Sequence, residues 1–356
     1  MKLESRALKY GYSNARVKAM KGLLLKPAVL DDLIRCGSIE AMIELLQRTT
    51  YKGHFADESV RYTGSELIEI AASRSFAETV DKLLRITPES DKDVLQALLL
   101  KYGILNLKTM MHAKKLGKEY EEVRPYLFPS GGLTEDDMKR IMKSDDRGLY
   151  REIKRTRLGS HILAPATASF NKRMWSEYNK AMHSVDAFLK AESVIDAYVY
   201  LLMDRALAES EGMDVAQMRR IIKKEIDAKN ILIIERLKKH GKKRIQEQLI
   251  YGGTFSSAFL NRIVESKDVA QTVALVKQKF RSLESTGERL SDLEIALEKS
   301  IASQKTVSFH KAMLSVGVIM GLLLLKEEEI NNLRKIAKGK EFGMPEKEIR
   351  EMLVVV

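Results

Sequence analysis

The sequence predicts an all-α protein assembled from three diverged copies of one helical bundle. Three observations carry this reading. Proline and aromatic residues are scarce, 6 prolines and 6% aromatics in 356 residues, which suits long helices over many short strands. Apolar residues recur at spacings of three and four. One order of elements also returns three times along the chain.

The first element is a short helix entered through a capping residue: "SIEAMIELLQRTTYKG" (38–53), "DDRGLYREIKRTRLGS" (145–160) and "DVAQTVALVKQKFRS" (268–282) each open on Ser or Asp, the residues that accept from the free N–H groups of a first turn. The first two also share an Arg-Thr pair, Arg48-Thr49 and Arg155-Thr156. The second element is a long helix: "LLLKYGILNLKTMMHAKKLG" (98–117), "IKKEIDAKNILIIERLKKHG" (222–241) and "LLLLKEEEINNLRKIAKGK" (322–340). Asn106 and Asn230 precede Gly117 and Gly241 by eleven residues, and Asn332 aligns with them if a few residues are deleted before Gly339. The third element is a double glycine leading into another short helix, in "LFPSGGLTEDDMKRIM" (127–142) and "LIYGGTFSSAFLNRIV" (249–264). In the last copy "FGMPEKEIREML" (342–353) takes that place, with Pro345 at a helix start. The copies span 1–118, 119–241 and 242–356.

The asparagines sit where polarity is costly. Leu95, Leu99, Tyr102, Asn106, Met110 and Ala113 line one helix face, and Ile222, Ile226, Asn230, Ile233 or Ile234, and Leu237 line another. A buried carboxamide without a partner costs about 1–3 kcal/mol, so each must be paired. Either it bonds a backbone group on a neighbouring helix and fixes packing register, or the related positions face a shared cavity or a partner helix. Glu225 and Asp227 are two apart, on nearly opposite sides of a helix. Glu327, Glu328 and Glu329 fan apart and read as a solvated face.

Chemistry is absent by motif. The chain has no phosphate-cradling Gly-x-x-x-x-Gly-Lys-Ser/Thr, no His-Glu-x-x-His, no Gly-x-Ser-x-Gly and no Gly-x-Gly-x-x-Gly, and its six histidines lack metal-ligand spacing. No catalytic residue, cofactor or metal ligand is assigned. The single cysteine, Cys36, reads as a small half-buried residue in a reducing compartment. The start, "MKLESRALKYGYSNARVKAMKG", lacks the apolar core of a signal peptide. The apolar run from Ala312 to Leu325 falls short of the roughly 20 residues a spanning helix needs, and reads as a helix buried on most sides. A net charge of +12 favours anionic surroundings. The densest basic cluster, Arg236 to Arg244, closes a helix, where cations complement the dipole. Charge alone also fits a basic helical scaffold that binds nucleic acid.

The stretches "YGYSNARVKAMKGLLL" (10–25), "EIDAKNILIIER" (225–236) and "EINNLRKIAKGKEFGMPEKEIREML" (329–353), in this order and with the triplicated plan, resemble the C subunits of archaeal ATP synthases, relatives of the d subunit in vacuolar proton ATPases. The likeness spans nearly the whole chain. It implies an all-α funnel of three helical bundles about a pseudo-threefold axis, held between the central-stalk subunits of the catalytic head and the proteolipid ring. The resemblance further implies a peripheral protein at the cytoplasmic face of the membrane, a mechanical role in proton- or sodium-driven ATP synthesis, and no active site, cofactor, small-molecule substrate or nucleic acid. On that expectation Asn106, Asn230 and Asn332, with Tyr102 and Asp227, form a repeated inward surface. Arg16 and Arg334 lock units or partners by charge, and Phe128 and Phe255 are exposed apolar tips that touch ring or stalk.

Overall fold

Helix starts follow the capping chemistry written in the sequence. In the computed structural model, which describes residues 3–56, 58–163, 172–241, 245–280, 289–310 and 312–354, α1 (Leu3–Lys21) leads into a short pair, α2 (Pro27–Arg35) and α3 (Ile39–Leu46). Then come α4 (Lys52–Phe55), the long α5 (Gly64–Ile86) and α6 (Lys92–Lys115), and α7 (Tyr120–Val123). A second short pair, α8 (Glu135–Lys143) and α9 (Asp146–Lys154), precedes α10 (Arg157–Ile162), α11 (Lys172–Ala181), α12 (Val185–Lys190), α13 (Glu192–Ala208) and the long α14 (Met213–Lys239). The third pair, α15 (Ser257–Glu265) and α16 (Val269–Lys277), is followed by α17 (Leu290–His310), the long α18 (Val316–Glu341) and α19 (Glu346–Met352). No strand occurs among the described residues.

The expected caps are in place. Ser38, Asp145 and Asp268 accept from the N–H groups of Ala41, Gly148 and Gln271 at 3.2, 2.7 and 2.8 Å, each worth about 1 kcal/mol. The long helices end alike too. Gly117, Gly241 and Gly343 all take positive φ, +67°, +62° and +64°, and each lies eleven residues past its asparagine. The third match is therefore Gly343 with no deletion, and not Gly339, which is buried within α18 against the Ile349 side chain. The left-handed turn lets Lys118 N–H reach Ala113 O, and Met344 N–H reach Gly339 O, tying off carbonyls the helix leaves open.

The chain forms two compact units, Met1–Ala191 with Ala312–Val355, and Glu192–Lys311. In the first, α18 packs along α5 and against α1, α2 and α3, while α6 packs on α8 and α12. In the second, α14 packs on α13, α15 and α17, over a core that includes Ile231, Ile234, Phe259, Ile263, Val276 and Leu297. Each long helix thus meets a short pair: α6 the second pair, α14 the third, and α18 the first.

The run ending at Leu325 is the buried start of α18, with Val316, Ile319, Met320, Leu322, Leu323 and Leu324 in the core. No helix among the described residues is long and apolar enough to cross a membrane. The glutamates after it are not the solvated face expected. Glu329 is buried, and Glu327 pairs with Lys101 at 2.7 Å. Neighbours enclose α18 on several sides, so its polar side chains meet protein before they meet water.

Gly131, at φ +68°, lies so close to α6 that a Cβ would fall on Gly103 N and Leu99 O. Gly131→Ala is expected to lower unfolding free energy by about 3 kcal/mol or more, from overpacking added to left-handed strain. Gly11→Ala, in open space within α1, raises it by about 0.5–1 kcal/mol. Denaturant titration of both variants is the check.

Candidate functional site

Each long helix spends its buried asparagine on the same device. Asn106 Oδ1 accepts from Phe128 N–H at 2.9 Å, and its Nδ2 donates back to Phe128 O. Asn230 does so with Ile250, at 2.8 Å in both directions. Asn332 does so with Val354, at 3.0 and 2.7 Å. The three side chains are 0%, 1% and 3% exposed. The partner is not on a neighbouring helix. Helical residues have already committed N–H and C=O to their own ladder, whereas Phe128, Ile250 and Val354 lie outside helices and offer both groups to one carboxamide.

One turn before each asparagine, the helix holds the returning chain differently. Gly103 lets Gly131 approach backbone to backbone. Asp227 instead accepts from Thr254 N–H at 2.9 Å, from Phe255 N–H at 3.1 Å and from the Thr254 hydroxyl. Gly253 fits there because a Cβ would overlap the Asp227 carboxylate. Burial pushes the Asp227 carboxyl up from its ordinary value, and the loop donors oppose it. Glu225, on the other side of α14, pairs with Lys305 at 2.9 Å, as the two-residue spacing requires. At the third such position Glu329 accepts from Leu25 N–H, and from the Tyr51 hydroxyl at 2.7 Å.

Eight residues after each asparagine stands a lysine: Lys114, Lys238 and Lys340. Lys114 Nζ donates to Met142 O and Ser144 O at 2.7 and 2.6 Å, over the end of α8. Lys238 Nζ donates to Ser266 Oγ at 2.8 Å, just past α15, and to buried Glu235 at 2.7 Å. These are cations on helix carboxyl ends. The period Asn-x7-Lys-x2-Gly, present three times, is the signal that finds them. Of the basic cluster from Arg236 to Arg244, Arg236 pairs with Glu294 at 2.8 Å, while 242–244 lie outside the described residues.

Buried charge is concentrated in the first unit. Arg334 on α18 faces Glu69 on α5 at 2.5 Å, donates to Ser73 Oγ at 3.1 Å, and lies 4.1 Å from the centre of the Phe128 ring. Phe128 is therefore no exposed tip. It is buried, 5.5 Å from Phe76 and 5.9 Å from Tyr102 between ring centres, because the Asn106 clamp draws its backbone onto α6. Phe255 is half-buried, stacked edge-on against Phe259 at 4.6 Å. Lys326 contacts Glu329 at 2.6 Å and the Tyr51 hydroxyl at 3.0 Å. Arg124 grips buried Glu58 with two bonds, 3.0 and 3.2 Å, and Arg74 also pairs with Glu58. The structure thus gathers Tyr102, Asn106, Phe128 and Arg334 in one place, and Asp227, Asn230 and Phe255 in another. Asn332 closes the chain end onto α18. Arg16 is exposed on α1 and joins neither group.

Among the described residues no three His, Cys, Asp or Glu side chains converge as a metal site would need. The model of the ATP synthase (C/AC39) subunit family matches residues 13–352, and the chain belongs to that family of structural, non-catalytic subunits. It is similar to the C subunit of the A-type ATP synthase of Methanosarcina barkeri, 27% identical over 364 residues, covering 98% of this chain and 93% of the relative. The corresponding A-type C subunit of Methanocaldococcus jannaschii is 25% identical, covering 97% and 86%. The C subunit of the V-type ATP synthase of Deinococcus radiodurans is 23% identical, covering 96% and 90%.

Asn230→Ala leaves Ile250 with a buried donor and acceptor, and is expected to cost about 2–4 kcal/mol in denaturant unfolding. Lys326→Met strands Glu329 in the interior and is expected to cost about 3–5 kcal/mol, with Lys326→Met/Glu329→Gln recovering part of it. Burial, with Lys326, Arg74 and Lys82 nearby, holds His54 below its usual 6.5, against the pull of Glu78. The unfolded chain therefore takes up the proton first. The His54 contribution is full above pH 6.5 and is lost as pH falls through the lowered folded value. Thermal unfolding midpoints from pH 7.5 to 5 should decline less in His54→Gln than in the wild type.

Proposed function

We propose that this chain is the central-stalk subunit that couples the rotating stalk of a catalytic ATPase head to the membrane proteolipid ring, in ion-driven ATP synthesis. On this reading it lies peripherally at the cytoplasmic face, as a funnel of three bundles about a pseudo-threefold axis. The sequence copies 1–118, 119–241 and 242–356 supply the bundles, with each long helix joined to the short pair that follows it and α18 joined to the first. The stalk end seats in the hollow.

The asparagine clamp, made three times in one register within a family of ATP synthase subunits, is the observation that carries this reading. A torque-bearing coupler must be stiff, since twist within it stores energy instead of passing it on. Two-point clamps and buried ion pairs resist sliding of one segment on another more than apolar packing alone. The inward surface expected of Asn106, Asn230 and Asn332 then becomes the framework of each bundle, and contacts with stalk and ring fall to other faces. Among the residues that the sequence singles out, Arg16 is exposed, and Phe255 and Arg334 are half-buried and retain some exposed surface.

Membrane vesicles carrying the complex without this subunit should hydrolyse ATP while failing to pump ions. Adding back the wild-type chain should restore ATP-driven ion uptake, and Arg16→Glu should restore less. Unimpaired pumping without the subunit, or no stalk or ring subunit recovered with it from native membranes, would overturn the assignment.

A further inference from the structure

The second helix of each short pair reveals what each copy adds to the shared fold. Measured from the caps Ser38, Asp145 and Asp268, the positions four and eight residues on are buried in all three: Met42 and Leu46, Leu149 and Ile153, Thr272 and Val276. Those two and six residues on are exposed in all three, and they are Glu40 and Glu44 in α3, Arg147 and Arg151 in α9, and Ala270 and Ala274 in α16. The fold requires nothing of these outward positions, since acid, base and alanine all stand there. Their difference has to be explained by what touches them.

In α9 the basic face is also arranged. Buried Glu152, where α3 and α16 have leucines, draws three guanidinium groups together: Arg155 at 3.0 Å, Arg151 at 3.3 Å and Arg140 of α8 at 3.6 Å. Glu152 thus holds three guanidinium heads and neutralises one charge, while Asp137 also pairs with Arg140. Arg151 and Arg155 still expose 68% and 60% of their side chains. Arg147 has no bonded partner among the described residues, and Lys154 completes a stripe at i, i+4 and i+7. Along the axis Arg147 to Arg155 spans about 12 Å.

We propose that this face of α9 is a docking surface for an acidic helical segment of a partner protein. Carboxylates spaced i, i+4 on such a helix match the stripe. The predominance of arginine over lysine suits planar two-point bonding to carboxylates. A membrane surface fits less well: none of the exposed large apolar side chains lies on α8, α9 or α10 to enter a bilayer. Because α3 is acidic and α16 uncharged at the same positions, such a segment engages one copy of three. An internally repeated protein thereby gains a single orientation towards its partner. The inference goes beyond the proposed function, and rests on it only in taking the partner from the same complex.

The test uses the full chain, its variants and the ATP synthase purified without this subunit. Arg147→Glu/Arg151→Glu is expected to weaken rejoining at least tenfold at 50 mM salt, with the loss shrinking at 500 mM. Ala270→Glu/Ala274→Glu, the same outward positions in α16, should change it less than twofold. Circular dichroism and melting confirm that both variants are folded. A cysteine-reactive crosslinker on Lys154→Cys, in a Cys36→Ser background, should map to an acidic helix of another subunit. In a separate arm, a 21-residue helical peptide with glutamate at i, i+4 spacing is titrated into the chain alone, where reversal should abolish binding. Unchanged rejoining by the reversed variant overturns the inference. So does a crosslink only to a basic or apolar segment, or a reversal that abolishes binding to phosphatidylglycerol vesicles or duplex DNA while leaving the peptide bound. If even the wild-type chain fails to rejoin, the proposed function fails, and the peptide arm decides the docking surface by itself.

Discussion

The backbone of one residue, its N–H and its C=O both held by one asparagine, is the contact on which this structure depends. A side-chain amide carries its donor and its acceptor on separate atoms, so it can give and take a hydrogen bond with the same residue. Aspartate has no proton to give when ionised, and serine has a single oxygen for both tasks. The clamp decides where the chain returns to the long helix after turning. It therefore also decides where the double glycines lie, where the next short helix begins, and which aromatic ring is carried inward. Phe128 shows the last effect: once its backbone is bound by Asn106, its ring has nowhere to go but between Phe76, Tyr102 and Arg334.

Charge inside the first unit has a different use. Burying Arg334 with Glu69, or Lys326 with Glu329 and Tyr51, gains little net stability against apolar residues of equal volume. The Arg334–Glu69 pair does reject a shift of α18 along α5, because a slide of one turn would leave each charge alone in the interior, whereas Lys326 and Glu329 would move together and lose only Tyr51 and the Leu25 N–H. The apolar first half of α18 lacks that selectivity and its polar second half supplies it. The two halves together explain why so greasy a stretch is followed at once by lysine and glutamate.

Much of this was legible in the residues. Helical periodicity, the caps at Ser38, Asp145 and Asp268, the buried amides and the double-glycine turns are local, and local rules find them. The opposite placement of Glu225 and Asp227 follows from helix geometry alone. What was not legible depends on neighbours distant in sequence. Glu329 looks solvated until Tyr51 and Leu25 cover it, and Phe128 looks like a loop tip until Arg334 caps its ring. Gly343 was hidden for another reason: Gly339 stands nearby as a competing match, and only the backbone angle distinguishes a helix end from a helix interior. The compact units were also hidden, since similarity runs along the chain in one period while packing joins each long helix to the short pair that follows, and α18 to the first.

The pairing of α18 with α5, α2 and α3 bears on how the chain is made. The clamps join residues 20 or 22 apart and can form as the chain emerges. The polar contacts of α18 with earlier helices and loops reach back 226 to 304 residues, from Lys101 to Leu25. At roughly 5–20 residues per second, a ribosome takes tens of seconds to span that interval. Through that time the inner face of α5 waits without its cover, and a holding chaperone has a defined target there.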